Sequence, residues 1–318
     1  MTQATLPTIS VCIPTCNRSA LLKEALESVL NQTLLPLEII VGDDSRDDSC
    51  EAVVAAISGA GRVPIIHKRN SPPLGQAANA NKLFESASGQ NLVLLHDDDL
   101  LLPNALEDLS ACWNDRPELT AAYGKQYLVS ERGDIQDRAS QDLNRDYFRG
   151  EEWAGSRLSA AAAGVLQQFP NDCYMVRSSA ARAVKCRPRE EVGNACDYDF
   201  GLRLGIASRE FFFLDKFIAK YRMTAQSLSK SSTDDAAMQA FSLLQQAAVP
   251  HQAVWAKEFQ LRRLAPAAIS QLIREGRSRE AVEIFFSKNY PLSKRVHPRG
   301  IRQLAKALLN GRGPAPSK

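Results

Sequence analysis

Leu92-Val-Leu-Leu-His-Asp-Asp-Asp-Leu-Leu-Leu-Pro103 is the stretch on which the reading of this chain turns. A short apolar run breaks into three consecutive carboxylates, Asp97, Asp98 and Asp99, and then becomes apolar again. Adjacent like charges repel, and apolar neighbours hold them close to the interior. The cluster therefore needs a compensating cation or shifted pKa values. A hard divalent metal with oxygen ligands meets that need. A solvated acidic turn is the plainer alternative. The place of the cluster in the fold decides between them.

Upstream, the first hundred residues alternate strand and helix patterns. Strand patterns lie at Ile9–Ile13, Leu37–Val41, Val63–His67 and Leu92–Leu95, apolar on both faces as in a buried parallel sheet. Helical patterns lie at Ala20–Leu30, Cys50–Ser58, Gln76–Ser88 and Pro103–Trp113. The first puts Leu22, Leu26, Val29 and Leu30 on one face, and Pro103 suits a first helical turn. Short-looped β-α units predict an α/β fold with a doubly wound sheet and right-handed crossovers. Polar clusters follow the strands in turn: Pro14–Arg18, Gly42–Ser45, Lys68–Asn70 and Asp97–Asp99. Parallel strands bring their C-terminal ends to one edge, where open α/β sheets bind ligands.

The first turn has no Gly-x-Gly-x-x-Gly, and no P-loop is present, which argues against a dinucleotide fold and a P-loop NTPase. A site built from carboxylates suits a metal-bridged diphosphate better than one cradled by backbone amides. After residue 120, strands are predicted at Ala121–Val129, Asp172–Val176 and, as one strand or a pair, Phe211–Arg222. Asp137–Gly155 reads as a polar loop, Asn194–Gly205 as a helix carrying Asp197 and Asp199, and Ser227–Asp235 as a linker. Ala236–Leu309 is helix-like.

The 318 residues are 44% hydrophobic and 24% charged, as in soluble globular proteins. A net charge of +3 gives no sign of nucleic-acid binding. The bases concentrate after Lys257, where Arg262, Arg274, Lys294, Arg299 and Arg302 outnumber the acids with their neighbours. Seven cysteines, with no C-x-x-C, read as reduced, mostly buried thiols. Met1–Pro7 is short and polar, and no run approaches the roughly 20 apolar residues of a membrane span. The expectation is a cytoplasmic protein, at most peripheral to a membrane; the oligomeric state is not legible.

Taken in order, the elements Val11-Cys-Ile-Pro-Thr-Cys-Asn-Arg18, Glu38-Ile-Ile-Val-Gly-Asp-Asp-Ser45, His96-Asp-Asp-Asp99 before Pro103, Cys196-Asp-Tyr-Asp-Phe-Gly-Leu-Arg-Leu204 and Tyr221-Arg-Met-Thr-Ala-Gln-Ser-Leu-Ser229 form a pattern. With it the chain resembles the inverting glycosyltransferases of family 2, from about Thr8 to Ser229. The resemblance implies a GT-A type fold: a doubly wound, mostly parallel sheet flanked by helices, here with a C-terminal helical extension. Residues 1–230 would form the catalytic domain, with the nucleotide-sugar part at about 8–115 and the acceptor part at about 116–230. Residues 231–318 would form the basic helical region.

The resemblance also implies roles. Asp98, at the matching distance before Pro103, is the candidate direct ligand of Mn2+ or Mg2+, with Asp99 beside it and Asp97 towards the diphosphate. His96 stands where many relatives have Asp. Asp43 and Asp44 would meet the base, since a carboxylate accepts from a ring N–H of uracil or thymine. Thr15 and Asn17 would line base and ribose, with Pro14 shaping the turn. Asn81 matches a position near the diphosphate, but the Arg that usually precedes it is Ala80; Arg18 or Arg69 would have to substitute. The general base matches Asp197, with Asp199 as fallback; the Glu usual before it is Cys196. Helix N-terminal acids favoured by the dipole are the structural alternative. Tyr221, Arg222 and Ser227 match a motif closing over the diphosphate, with Thr224 in place of its usual His. Asp172 and Arg177 are candidates for the acceptor side.

The implied function is metal-dependent inverting transfer of one sugar from a UDP- or dTDP-sugar to a saccharide or lipid-linked acceptor, as in polysaccharide and cell-envelope synthesis. Competing readings are a sugar nucleotidyltransferase, whose glycine-rich first loop is lacking at Pro14–Arg18, and an inactive nucleotide-sugar-binding subunit.

Overall fold

The computed structural model describes residues 6–58, 62–114, 116–223 and 236–310. Four parallel strands, β1 (Ile9–Thr15), β2 (Glu38–Asp43), β3 (Ile65–Arg69) and β4 (Asn91–Leu94), lie in the order β3-β2-β1-β4. Helices α1 (Ser19–Leu30), α2 (Ser49–Ser58) and α3 (Gln76–Ser86) connect them. Strands β2 and β4 are wholly buried and β1 nearly so, because their Val, Ile and Leu side chains enter apolar layers on both faces. β3 departs from that reading. It is the edge strand and stays partly exposed. Helix α1 buries Leu22, Ala25, Leu26 and Val29 as its period predicts. Pro103 lies ahead of α4 (Ala105–Ala111), whose N-cap is Asn104, so it precedes the first turn instead of opening it.

The second half of the sheet is mixed. Strands β5 (Leu100–Leu101), β6 (Leu119–Val129), β7 (Tyr174–Arg177) and β8 (Glu210–Arg222) complete an eight-stranded order, β3-β2-β1-β4-β7-β6-β8-β5. β7 runs antiparallel to both β4 and β6, whereas β6 and β8 are parallel. The antiparallel β4–β7 junction has a functional consequence. Residues just before β7 fall beside residues just after β4: Cys173 N donates to Leu94 O at 2.7 Å, and His96 N to the Asp172 carboxylate at 3.2 Å.

The segment read as a polar loop contains α5 (Asp137–Asp146). Its buried face is polar, which hid the helical period. Ser140 and Asn144, four residues apart, bond the β6 backbone at Leu128 and Gln126. Helices α6 (Ala160–Val165), α7 (Ser178–Val184), α8 (Arg189–Val192) and α9 (Cys196–Ala207) follow. α6 and α9 touch through glycine: a Cβ at Gly164 would stand 2.4 Å from Gly201 O, and one at Gly205 would stand 2.4 Å from Ala160 O. That contact fixes the height of α9 and of the acids at its start.

Helices α10 (Ala236–Gln246), α11 (Val254–Arg274), α12 (Ser278–Phe286), α13 (Leu292–Arg295) and α14 (Pro298–Asn310) form the C-terminal region. They share one apolar core with the sheet, since Leu244, Ala256, Leu272 and Phe285 cluster with Tyr174 and Phe200. Thr224, Ser227 and the linker Ser227–Asp235 lie outside the described residues. All seven cysteines are free thiols, and only Cys16 among them is exposed. No helix among the described residues is long and apolar enough to cross a membrane.

Candidate active site

The loops after β1, β2 and β4 meet as the parallel register requires. Thr15, at the end of β1, touches both neighbours. Its carbonyl accepts from Asp44 N at 2.9 Å, and its hydroxyl donates to the Asp97 carboxylate at 2.7 Å. Arg18, three residues on, donates to Asp97 at 3.2 Å and to Asp98 at 3.0 Å. Arg18 is thus the cation that the acidic run demanded. Asn17 sits at a φ of 54° and closes the turn: its N–H donates to the Ser45 hydroxyl and its side-chain oxygen accepts from Arg46 N. Pro14 lies in β1 itself, in register with Gly42.

Asp43 and Asp44 differ in what they have left to offer. Asp43 is fully buried; one oxygen accepts from Ser45 N and the other meets His67 Nε2 at 3.0 Å. It braces the turn. Asp44 gathers the loop before α3, accepting from Asn70 Nδ2, Leu74 N and Gly75 N at 2.8, 3.1 and 2.8 Å. Gly75, at a φ of 81°, supplies the backbone conformation that aims its N–H there. A carboxylate has about four acceptor positions, so Asp44 retains one on Oδ2. Arg69 pairs with Asp48 and Glu51 at the edge strand, whereas Arg18 pairs with the Asp97 and Asp98 carboxylates.

The three consecutive acids point to different partners. Asp98 is partly exposed and pairs with Arg18. Asp97 is buried beside it; burial raises its pKa, opposed by the Thr15 hydroxyl and Arg18. Asp99 turns inward, 1% exposed, and accepts from Arg222 N at 2.7 Å. Its second oxygen has no hydrogen-bond partner among the described residues. Burial first, then the facing Asp172, hold its pKa well above the usual range. His96, Asp99 and Asp172 offer ligand atoms that all lie within 4.8 Å of one another. Burial opposes the His96 imidazolium, yet Asp172, Asp197, Asp98 and Asp97 together raise its pKa. Asp98 and Asp99, expected to act as a pair, therefore belong to two adjoining groups, one at the crevice with Arg18 and one behind it.

Asp197 and Asp199 also part company. Asp197, in the first turn of α9, is part-buried and accepts from Gln76 Nε2 at 3.3 Å. Burial, then Asp172, raise its pKa; His96 and Gln76 draw it back. Asp199 is fully buried, its two oxygens taken by Arg187 and Arg203. It ties α9 to the segment after α7, which corrects its reading as an alternative base. Three further readings change for the same reason, that the side chain is already engaged. Asn81 bonds both the N–H and the carbonyl of Cys186. Arg222 is 3% exposed, with its guanidinium on Asp98 O, Glu131 O and Glu24. It shapes the acidic loop through these bonds. Arg177 bonds Leu119 O and Pro117 O at the end of β7 remote from Asp172. Sequence reasoning missed Gln76, which nothing but its place at the start of α3 could have marked.

Residues 10–164 match the family described as Glycosyl transferase family 2. A stretch of 105 residues is 38% identical to the GalNAc(5)-diNAcBac-PP-undecaprenol beta-1,3-glucosyltransferase of Campylobacter jejuni, covering 33% of this chain and 34% of that protein. The chain spans 38%, 71% and 34% of the length of the first curated relatives it matches. In fold it is similar to S. aureus TarS in complex with UDP, with a TM-score of 0.60 and 17% identity, over 96% of this chain and 81% of that one. It is also similar to the mannosyltransferase PcManGT of Pyrobaculum calidifontis in complex with GDP-Man and Mn2+, with a TM-score of 0.59 and 13% identity, over 96% and 87%. The GT-A type fold expected from the motifs is the one the chain adopts. Residues 10–164 of this chain thus form a glycosyltransferase family 2 domain.

Proposed function

We propose that the protein transfers one sugar, with inversion, from a UDP- or dTDP-sugar to a saccharide or lipid-linked acceptor, with Asp197 as general base. The observation that carries this reading is the meeting of Thr15, Arg18, Asp97 and Asp98 at the strand ends, with Asp197 on α9 joined to the same crevice through Gln76. The acceptor hydroxyl oxygen attacks the anomeric carbon, and its proton passes to the Asp197 carboxylate. The bond from that carbon to the diphosphate oxygen breaks, and its electron pair stays with the diphosphate. Arg18 is placed to stabilise the leaving charge. Asp44, with its remaining acceptor position, suits the ring N–H of the base.

A divalent ion fits this chain. Asp98 is a partly exposed carboxylate, and behind it the buried Asp99 oxygen that has no hydrogen-bond partner among the described residues lies with His96 and Asp172. The ion, Mn2+ or Mg2+, would supply charge neutralisation on the diphosphate. Support for the donor comes from TarS, solved with UDP, and for the metal from PcManGT, solved with Mn2+. Support for a lipid-linked acceptor comes from the name of the C. jejuni relative.

Calorimetric titration of UDP, dTDP and GDP, each with and without Mn2+, tests the reading. The expected result is binding of UDP or dTDP that tightens with Mn2+. A protein indifferent to all three, with and without the ion, ends it. A protein that binds but releases no UDP from donor and acceptor is a sensor, not a transferase.

A further inference from the structure

Phe286, Leu292, Val296, Ile301, Leu308 and Leu309 are 56–69% exposed, whereas no other large apolar side chain among the described residues exceeds 47%. All six lie between residues 286 and 309. That span also holds Lys288, Lys294, Arg295, Arg299, Arg302 and Lys306, and it contains no Asp or Glu. Exposed apolar surface and unopposed positive charge thus coincide at one place on the molecule.

The geometry of α14 sorts these residues by sector. At about 100° per residue, Ile301, Ala305, Leu308 and Leu309 form one exposed stripe. Arg299, Arg302 and Lys306 form the sector beside it. Gly300, Gln303 and Ala307 form the third, which faces the protein: Gly300 and Ala307 are buried, and Gln303 Nε2 donates to Pro266 O and Ser270 Oγ on α11 at 2.8 and 2.7 Å. α13 and α14 abut without room for a side chain, since a Cβ at Gly300 would stand 2.0 Å from Lys294 O. Leu292 and Val296 are exposed on the element that abuts α14. A cavity of about 680 Å³ opens between α11 and α14. Ile273 and Tyr290 line its wall, and Arg274, Lys294, Arg302 and Lys306 line its basic side.

An apolar stripe flanked by cations, on a helix packed by its third face, is the pattern of an element lying in a membrane interface. Charge decides against the other occupants. A second copy on the same face would set Arg299, Arg302 and Lys306 against their own counterparts. A nucleic acid would use the cations and leave the leucines in water. We propose that the α13–α14 face docks on an anionic lipid bilayer, with Leu292, Val296, Ile301, Leu308 and Leu309 among the acyl chains and Arg299, Arg302 and Lys306 at the phosphate groups. The proposal goes beyond the transfer chemistry and stands without it.

Co-sedimentation of the full chain with two vesicle types tests it: phosphatidylcholine alone, and phosphatidylcholine with one-third phosphatidylglycerol. Binding is expected to the anionic vesicles, not to the neutral ones, and to weaken in about 1 M salt, where the Debye length falls to about 3 Å. Two variants divide the contributions. Ile301→Ser with Leu308→Ser and Leu309→Ser, and separately Arg299→Glu with Arg302→Glu, should each weaken partitioning by at least about tenfold. UDP titration and melting temperature should stay as in the parent, since all five side chains are exposed. No partitioning on anionic vesicles at low salt overturns the proposal. So does partitioning that both variants retain. A concentration-dependent dimer abolished by the three serines would assign the face to a second copy instead. Loss of UDP binding in the parent, with vesicle binding intact, would strike the transferase reading and leave this one standing.

Discussion

The Gln76 side-chain amide donates to the Asp197 carboxylate at 3.3 Å, joining the starts of α3 and α9 across 121 residues of sequence. The bond links the element beside the proposed nucleotide-binding loops to the one that carries the proposed base. It is long and neutral at the donor end, so it orients Asp197 without neutralising it. Asp197→Asn keeps the shape and an oxygen to accept from Gln76, yet cannot take a proton. Its turnover should fall by about 10²–10⁴-fold, the usual contribution of a general base, while UDP affinity stays within about twofold of the parent, since the base is not a nucleotide contact. Paired UDP-release assays and calorimetry check this. An Asp197→Asn enzyme that turns over normally removes the assignment.

The surroundings of Asp197 set the sign of a pH effect. Burial, and after it the charge of Asp172, raise its pKa above the usual carboxylate range. A base acts in its deprotonated form, so kcat/KM should fall as pH drops through that raised value. Asp172→Asn removes the neighbouring charge and keeps an acceptor for His96 N. The acid limb should then move to lower pH. A limb that stays in place, or moves up, would show that Asp172 does not act on the base.

Asp199 calls for the opposite outcome. Its buried carboxylate accepts from Arg187 Nε at 3.0 Å and Arg203 Nε at 2.7 Å. Removing it strands two guanidinium groups. Breaking a buried pair in this way costs about 3–5 kcal/mol, and the partial exposure of both arginines puts the expectation for Asp199→Ala at the lower end, about 3 kcal/mol. Asp197→Ala should cost less than about 1 kcal/mol, as removal of one long hydrogen bond does. Melting temperatures of the two variants, measured side by side, separate the structural acid from the chemical one. Equal losses would contradict the division.

How much of this was legible beforehand follows from where side chains point. The strands β1, β2 and β4 announced themselves because they are buried on both faces, and the loops after them had to share an edge. Thr15, Asp44, Asp97 and Asp98 came together for that reason. Asp172 belongs among them only because β7 enters the sheet antiparallel to β4, and strand direction leaves no mark in composition. α5 was hidden by the polar face it buries at Ser140 and Asn144. For Asn81, Asp199 and Arg222, a motif match named the position, but each side chain is spent on a neighbour that no spacing reveals.

Thr15 offers a test of the acidic loop itself. Its hydroxyl bonds the Asp97 carboxylate, while its backbone bond to Asp44 does not depend on the side chain. Burial raises the Asp97 pKa, and the hydroxyl opposes that rise. Thr15→Val removes the opposition at nearly constant volume, so the pKa should go higher still. A carboxyl whose folded-state pKa lies above its unfolded value contributes most below the unfolded pKa and loses that contribution as pH rises. The variant's deficit in melting temperature should therefore be larger at about pH 8 than at about pH 5. Hydrogen bonds to charged groups are worth about 1.5–3 kcal/mol, so UDP affinity with Mn2+ should weaken by about tenfold if Asp97 and Arg18 hold the leaving diphosphate as a unit. Equal deficits at both pH values would mean that the hydroxyl does not support the charge. The restraint on the Asp97 pKa would then come from Arg18 and His96.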